Sequence, residues 1–321
     1  MAVARRDDYT ARDPNRSPLA VTLRDWILLM TLSVLWGGSF FFARIALDEV
    51  PPLTLVLARV VIGSAVLYAV LRATGERFTA RRTVWLTLTV MALLNNVIPF
   101  SLFYWSQTAI PAGLAAILNA TTPLFTVIVM HLFTTDEPAT PNKTAGVALG
   151  FLGVVVLVGP AALGTIDTPL WALAGCLVAT ISYAFSGLWG RRIKPLALTP
   201  TFTAWVQLTI TSIVMAPLVG IVDRPWTLAM PGPAAIAAVL ALAVLSTALA
   251  YIIFFRLLAT AGPSNLLLVT FLIPVSTILL TGLFLGERLA WTHFAGMALI
   301  GLGLVAIDGR VWRRFAGRHA Q

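Results

Sequence analysis

Arg59 is the residue whose type and setting most demand a chemical explanation. It is the single charge in the apolar run Leu53 to Leu71, and a guanidinium in such a run is costly unless it snorkels to a surface or faces a wet cavity. Two active uses fit. Arg59 binds a carboxylate or another anionic group of a solute, or it pairs with backbone carbonyls that switch between two states. The plainer use is an anchor that reaches the nearer membrane surface.

A second set of residues follows from prolines, each of which removes one helical hydrogen bond and frees the carbonyl four positions earlier. Pro99 frees Asn95, Pro123 frees Asn119 and Pro274 frees Thr270, so every freed position also carries a polar side chain. With Asn96, these residues are expected to line a central cavity, the prolines acting as helix breaks that gate it. Hydrogen bonding between helices is the competing use of the same amides. Trp36, Tyr104, Tyr183, Trp205 and Tyr251 are candidates for the cavity walls, stacking on an apolar or cationic part of the solute. Tyr104 and Tyr251 also stand near span ends, where interfacial aromatic belts form.

Glu137 and Glu287 follow apolar runs at matching places. They read as structural or gating loop residues that cap the next helix or pair with Lys143 or Arg288. His131 closes a run, as an interfacial histidine does. No run holds Asp or Glu away from its ends, so a carboxylate proton relay inside the membrane is not expected. Cys176 is the single cysteine, which rules out a disulfide framework or a thiolate metal site within one chain. The Walker A pattern is missing. No catalytic residue, metal or cofactor is expected. The competing class is an integral-membrane enzyme acting on a lipid or peptide, which needs a nucleophile with its base, or metal ligands, at membrane depth.

Lipid must position these residues. The chain of 321 residues is 59% hydrophobic and 11% charged, against roughly 25% charged residues in soluble domains. Its charges fall in short breaks between long apolar stretches, and crossing the hydrocarbon as a helix takes roughly 20 residues. Thr83 to Thr135 is too long for one crossing and divides at Pro111-Ala112-Gly113. The expected fold is an all-α integral membrane protein of ten transmembrane helices. The net charge of +9 belongs to membrane flanks and tails, not to a nucleic-acid surface. With both termini cytoplasmic, only Arg44, Arg224 and Arg288 among the loop cations lie outside, as the positive-inside rule requires. Residues 1–24 mix Arg with Asp and Pro and lack an apolar run, so they are expected to form a disordered cytoplasmic tail and not a signal peptide. Residues 309–321 are expected to form a basic cytoplasmic tail.

The chain also repeats itself. Pro123, Glu137, Gly146 and Gly153 return as Pro274, Glu287, Gly296 and Gly303. Trp36 falls opposite Tyr183, and the spacing from Pro52 to Arg59 equals that from Pro200 to Gln207, so Gln207 joins the predicted site. Two five-helix repeats follow, 25–162 and 167–308. An odd number of crossings inverts the second relative to the first, the architecture of many secondary transporters.

The opening Trp36-Gly37-Gly38-Ser39-Phe40, Arg59 on the second span, the Pro123 and Pro274 spans, and Glu137 and Glu287 followed by Gly146 and Gly296 resemble the paired EamA domains of the drug/metabolite transporter superfamily. The resemblance covers residues 25 to 308. Asp136-Glu137-Pro138 departs from the family's usual Gly-Glu-Arg, which Gly286-Glu287-Arg288 keeps. The resemblance implies a permease or exporter of small metabolites, such as amino acids, or of drugs, working by alternating access in the inner cell membrane. The expected partners are a small-molecule solute and membrane lipid, with no nucleic acid. Gly146 to Gly150 and Gly282 to Gly286 have the small-residue spacing that suits close helix contact, within one protomer or in a homodimer.

Overall fold

The computed structural model describes residues 22–76, 79, 81–135, 140–162, 168–260 and 268–308, and among them the regular structure is helical without a strand. The helices are α1 (Leu23–Ala46), α2 (Pro52–Thr74), α3 (Arg82–Gln107), α4 (Ala112–Phe133), α5 (Pro141–Ala162), α6 (Leu170–Gly190), α7 (Pro200–Val222), α8 (Pro233–Leu257), α9 (Leu268–Phe284) and α10 (Trp291–Asp308). Helices α1 to α8 are long and apolar enough to cross a membrane, whereas α9 and α10 are shorter apolar helices among the described residues. Large side chains such as Val155, Ile213, Leu279 and Leu283 stay exposed on the outside of the bundle. Water would penalise these surfaces and lipid does not. The chain is a multi-pass membrane protein.

Three of the helices are irregular, and each irregularity has a local cause. Helix α3 passes through a π-helical segment, Leu93–Val97, directly before Pro99, whose missing N–H cannot continue the α-helical ladder. Helix α8 carries its own π segment, Val244–Leu249, at the corresponding place in the second half of the chain. No proline is involved there; the Thr247 hydroxyl donates to the Leu242 carbonyl at 2.9 Å. Helix α4 breaks at Ala120 and Thr121, between Ala112–Asn119 and Thr122–Phe133. The Asn119 carbonyl, which Pro123 cannot serve, accepts the Thr122 hydroxyl at 2.8 Å. Pro274 lies inside a continuous α9, so the break expected at both prolines is present only at Pro123.

Helices α5 and α10 touch backbone to backbone. A Cβ added to Gly146 would lie 2.5 Å from the Gly303 carbonyl oxygen, and one added to Gly153 would lie 2.7 Å from that of Gly296. Position rises along one helix as it falls along the other, so the pair runs antiparallel. Gly150 is filled over by Leu124, which places the Gly146 to Gly150 stripe inside the protomer. Gly282 and Gly286 differ from it. The nearest atom to a Cβ on Gly282 is 3.9 Å away, and Gly286 ends α9 in a left-handed turn with φ of 66°. Within the protomer, Gly286 serves the turn and Gly282 meets no other helix closely.

Carboxylates tie helix ends between the two halves of the chain. At one end of the bundle, Asp223 Oδ2 accepts from the Thr54 backbone N–H at 2.7 Å and from its hydroxyl at 2.8 Å. Glu49 accepts from the Gly232 N–H at 2.6 Å. Glu287 accepts from the N–H groups of Ala112 and Gly113 at 3.1 and 3.3 Å. Helix N-termini favour anions in this way. Glu287 was expected to serve the next helix or Arg288; it serves α4 instead. Glu137 lies outside the described residues. At the opposite end, Thr199, the N-cap of α7, donates to Glu76, and Thr260 donates to Asp25 at 2.8 Å.

Candidate functional site

Helix α2 turns Arg59 onto the same inward face as Leu55, Val56, Gly63 and Leu67, and the side chain is 6% exposed. It does not reach for the surface. Nε donates to Thr247 Oγ1 of α8 at 2.8 Å, and Nη1 donates to the Tyr104 hydroxyl of α3 at 2.5 Å. The guanidinium lies over the Phe100 ring, 3.9 Å from its centroid, a cation–π contact that desolvation strengthens. The Tyr104 hydroxyl also meets Ser39 of α1. Among the described residues the ion pair present is Arg44 with Asp48 at the end of α1, and no carboxylate neutralises Arg59. Hydroxyls accept from Nε and Nη1 but leave its charge uncompensated, and a buried charge in that condition is expensive to keep.

Rings and amides surround this cation. Tyr183 and Tyr251 lie within electrostatic reach of Arg59. Phe103 stacks on Tyr183 at 6.2 Å and meets Phe40 edge-on at 5.6 Å. The π segment of α3 contributes the amides. Asn95 Nδ2 lies 3.4 Å from Gln207 Oε1 and 3.4 Å from Asn96 Oδ1, while Ser186 Oγ donates to Asn95 Oδ1 at 3.3 Å. Asn96, fully buried, donates to Thr211 at 3.2 Å. Tyr251 meets Asn95 and so joins the amides to the Arg59 side. Most of these amide bonds are at the long end of the hydrogen-bond range, which suits groups that must exchange partners. Ser246, next to Thr247 and beside Gly38, is fully buried, and its hydroxyl has no hydrogen-bond partner among the described residues.

Of the residues predicted from sequence, Arg59, Asn95, Asn96, Tyr104, Tyr183, Gln207 and Tyr251 come together. Trp36 packs on Phe254 at 5.4 Å in an apolar cluster with Leu29, Leu32 and Ile253. Trp205 belongs to a ring cluster with Tyr68, Trp85 and Phe202. Among the described residues, no hydrogen bond links the side chains of Asn119 or Thr270 to the Arg59 network. Sequence reasoning missed Thr247, Ser246, Phe100 and Ser39. One signal was present: Ser246-Thr247 is an isolated hydroxyl pair in an apolar helix, at the place in its half that Asn95-Asn96 holds in the other.

A separate cavity of about 430 Å³ opens at the Asp48 end, between Arg44, Asp48, Gln107 and Glu287. None of its lining residues belongs to the Arg59 cluster.

The chain has relatives along nearly its whole length. It is 25% identical over 285 residues to a protein of Escherichia coli (strain K12) named as an uncharacterized inner membrane transporter, YedA, covering 87% of this chain and 89% of that one. It is 28% identical over 300 residues to a probable amino-acid metabolite efflux pump of the same organism, covering 91% and 97%. It is 27% identical over 280 residues to the protein PecM of Dickeya dadantii (strain 3937), covering 85% and 88%. A solved crystal structure superposes with a TM-score of 0.63 over 88% of this chain and 96% of its own at 20% identity, a likeness of fold. The profile of the EamA-like transporter family matches twice, over residues 25–159 and 170–307; the chain belongs to that family.

Proposed function

We propose that this protein is a secondary transporter that moves a small metabolite across the membrane by alternating access, with the Arg59 cluster as its binding site. The observation that carries this reading is a buried guanidinium with no described carboxylate partner, bonded to residues from both halves of the chain. A site built from α2 and α3 on one side and α7 and α8 on the other is one that rocking the halves would open and close. Small metabolites with a carboxylate suit the cation, and the amino-acid metabolites in the name of the E. coli efflux pump belong to that class.

The mechanism requires ten crossings in two inverted halves, with both termini cytoplasmic. Three reciprocal arrangements support the inversion. Exchanging the halves converts the Gly146·Gly303 contact into Gly296·Gly153. It converts the π segment of α3 into that of α8. It also converts the Asp223–Thr54 tie, at the start of α2, into the Glu76–Thr199 tie, at the start of α7. The distribution of Arg and Lys supports the orientation of the termini.

An efflux screen in cells overproducing the protein would identify solutes, and flux into liposomes containing the purified protein would test the reading. Saturable flux supports transport. Turnover of a lipid or peptide without flux would point to the enzyme class instead.

A further inference from the structure

The Arg59 cluster carries one full charge, and that charge is positive. The carboxylates whose contacts are described are engaged at helix ends: Asp25 with Thr22 and Thr260, Asp48 with Arg44, Glu49 with Gly232, Glu76 with Thr199, Asp223 with Thr54, and Glu287 with Ala112 and Gly113. None bonds to the cluster. A solute there meets a guanidinium whose Nη2 makes no hydrogen bond among the described residues, hydroxyls at Tyr104, Thr247 and Ser246, and the rings of Phe100, Phe103 and Tyr183. An oxyanion finds charge-assisted donors in that setting. An ammonium group finds a like charge and no acid.

We propose that the carried solute is a net monoanion, a carboxylate or similar oxyanion on a compact apolar body, and that its transport is electrogenic. This inference rests on the transporter reading above. Over a complete cycle the protein's own charges return to their starting positions, so the net charge moved is that of the solute. Each turnover transfers one negative charge, and an interior-negative potential drives the solute outward with no proton or cation coupling. At 100 mV the potential alone sustains a gradient of about 50-fold for one elementary charge. The amides and hydroxyls of the cluster hold no group that titrates near neutral pH, so the potential, and not a proton relay through these side chains, supplies the driving force. A zwitterionic solute would draw nothing from the potential.

Three probes with nearly the same body separate charge from shape: 3-phenylpropionate, phenylalanine and phenethylamine. Their binding to the full-length protein is measured by calorimetry at neutral pH. Labelled flux and transported charge are then followed in proteoliposomes under potassium-diffusion potentials of either sign; passive entry of the neutral acid carries no current. The expected result is that 3-phenylpropionate binds about tenfold tighter than phenylalanine, that phenethylamine binds weakest, and that Arg59→Gln removes about tenfold of the anion's affinity. The current should have the sign of anion movement and follow the imposed potential. Tighter binding of phenylalanine, no saturable binding of any probe, or anion flux that carries no current would overturn the inference. Anion binding with neither flux nor current would overturn the transporter reading, and the electrogenic step with it.

Discussion

Nε of Arg59 lies 2.8 Å from Oγ1 of Thr247, a contact that joins α2 in the first half of the chain to the π segment of α8 in the second. The same Thr247 hydroxyl donates its proton to the Leu242 carbonyl at 2.9 Å. It therefore accepts from Arg59 with a lone pair and keeps a partner if the guanidinium leaves. On the Thr247 side the arginine is held by a group that does not depend on it.

Replacing Arg59 with Met should accordingly leave the protein as stable as before, or more so. It removes an uncompensated buried charge, and Thr247 keeps its bond to Leu242. The unfolding temperature in detergent should equal or exceed that of the wild type, while solute affinity falls about tenfold or more. A drop of several degrees would make Arg59 a structural residue.

The ties at the two bundle ends should act in opposite senses. Asp223→Asn weakens the Thr54 tie at the Asp48 end, and Glu76→Gln weakens the Thr199 tie at the other. Each bond is worth about 1 to 3 kcal/mol, enough to shift a two-state balance about 5-fold to 150-fold. In a Cys176→Ser background, a cysteine placed at Asn95 should gain reactivity toward an impermeant thiol reagent from one side in Asp223→Asn and from the other in Glu76→Gln. Gains from the same side in both variants would contradict rocking of two halves.

The α5–α10 crossing should tolerate no side chain. Gly146→Ala puts a methyl group 2.5 Å from the Gly303 carbonyl, whereas a Cβ at Gly301 meets nothing within 4 Å. The first change should cost about 1 to 3 kcal/mol, seen as a lower unfolding temperature. Gly301→Ala should be neutral or slightly stabilising, because alanine is the better helix former. Equal behaviour of the two would remove the close crossing.

Pro123→Ala should mend α4, since its N–H can then reach the Asn119 carbonyl now held by Thr122. Exchange between the two open states, followed by single-molecule distances, should slow. Pro274→Ala, in an already continuous α9, should change the rate less. Equal effects would detach gating from the break at Ala120 and Thr121.

Much of this was legible in the residue pattern because lipid imposes simple rules. Charge-free runs separated by short breaks mark the helices, and a lone Arg59 in such a run marks the buried polar cluster. The glycines that recur in both halves turned out to face one another, since backbone contact requires that nothing larger stand there. Thr247 and Ser246 escaped notice because hydroxyls are common in membrane helices, where they bond to their own backbone, and the π segment of α8 has no proline to announce it. Trp36 and Trp205 make no described hydrogen bond to the Arg59 network. Large rings are conspicuous in a sequence, yet the same size makes them efficient filler in the apolar clusters where they lie. The partner of Glu287 was illegible because it lies on α4, in the other half of the chain.

The most direct measurement is saturable solute flux by reconstituted protein, wild type against Arg59→Ala, on preparations matched for insertion and unfolding temperature. Arg59→Ala is expected to lose about tenfold or more of the flux at subsaturating solute with folding intact. Unchanged flux and unchanged affinity in Arg59→Ala would contradict that expectation, because the cluster could then not be where the solute is held.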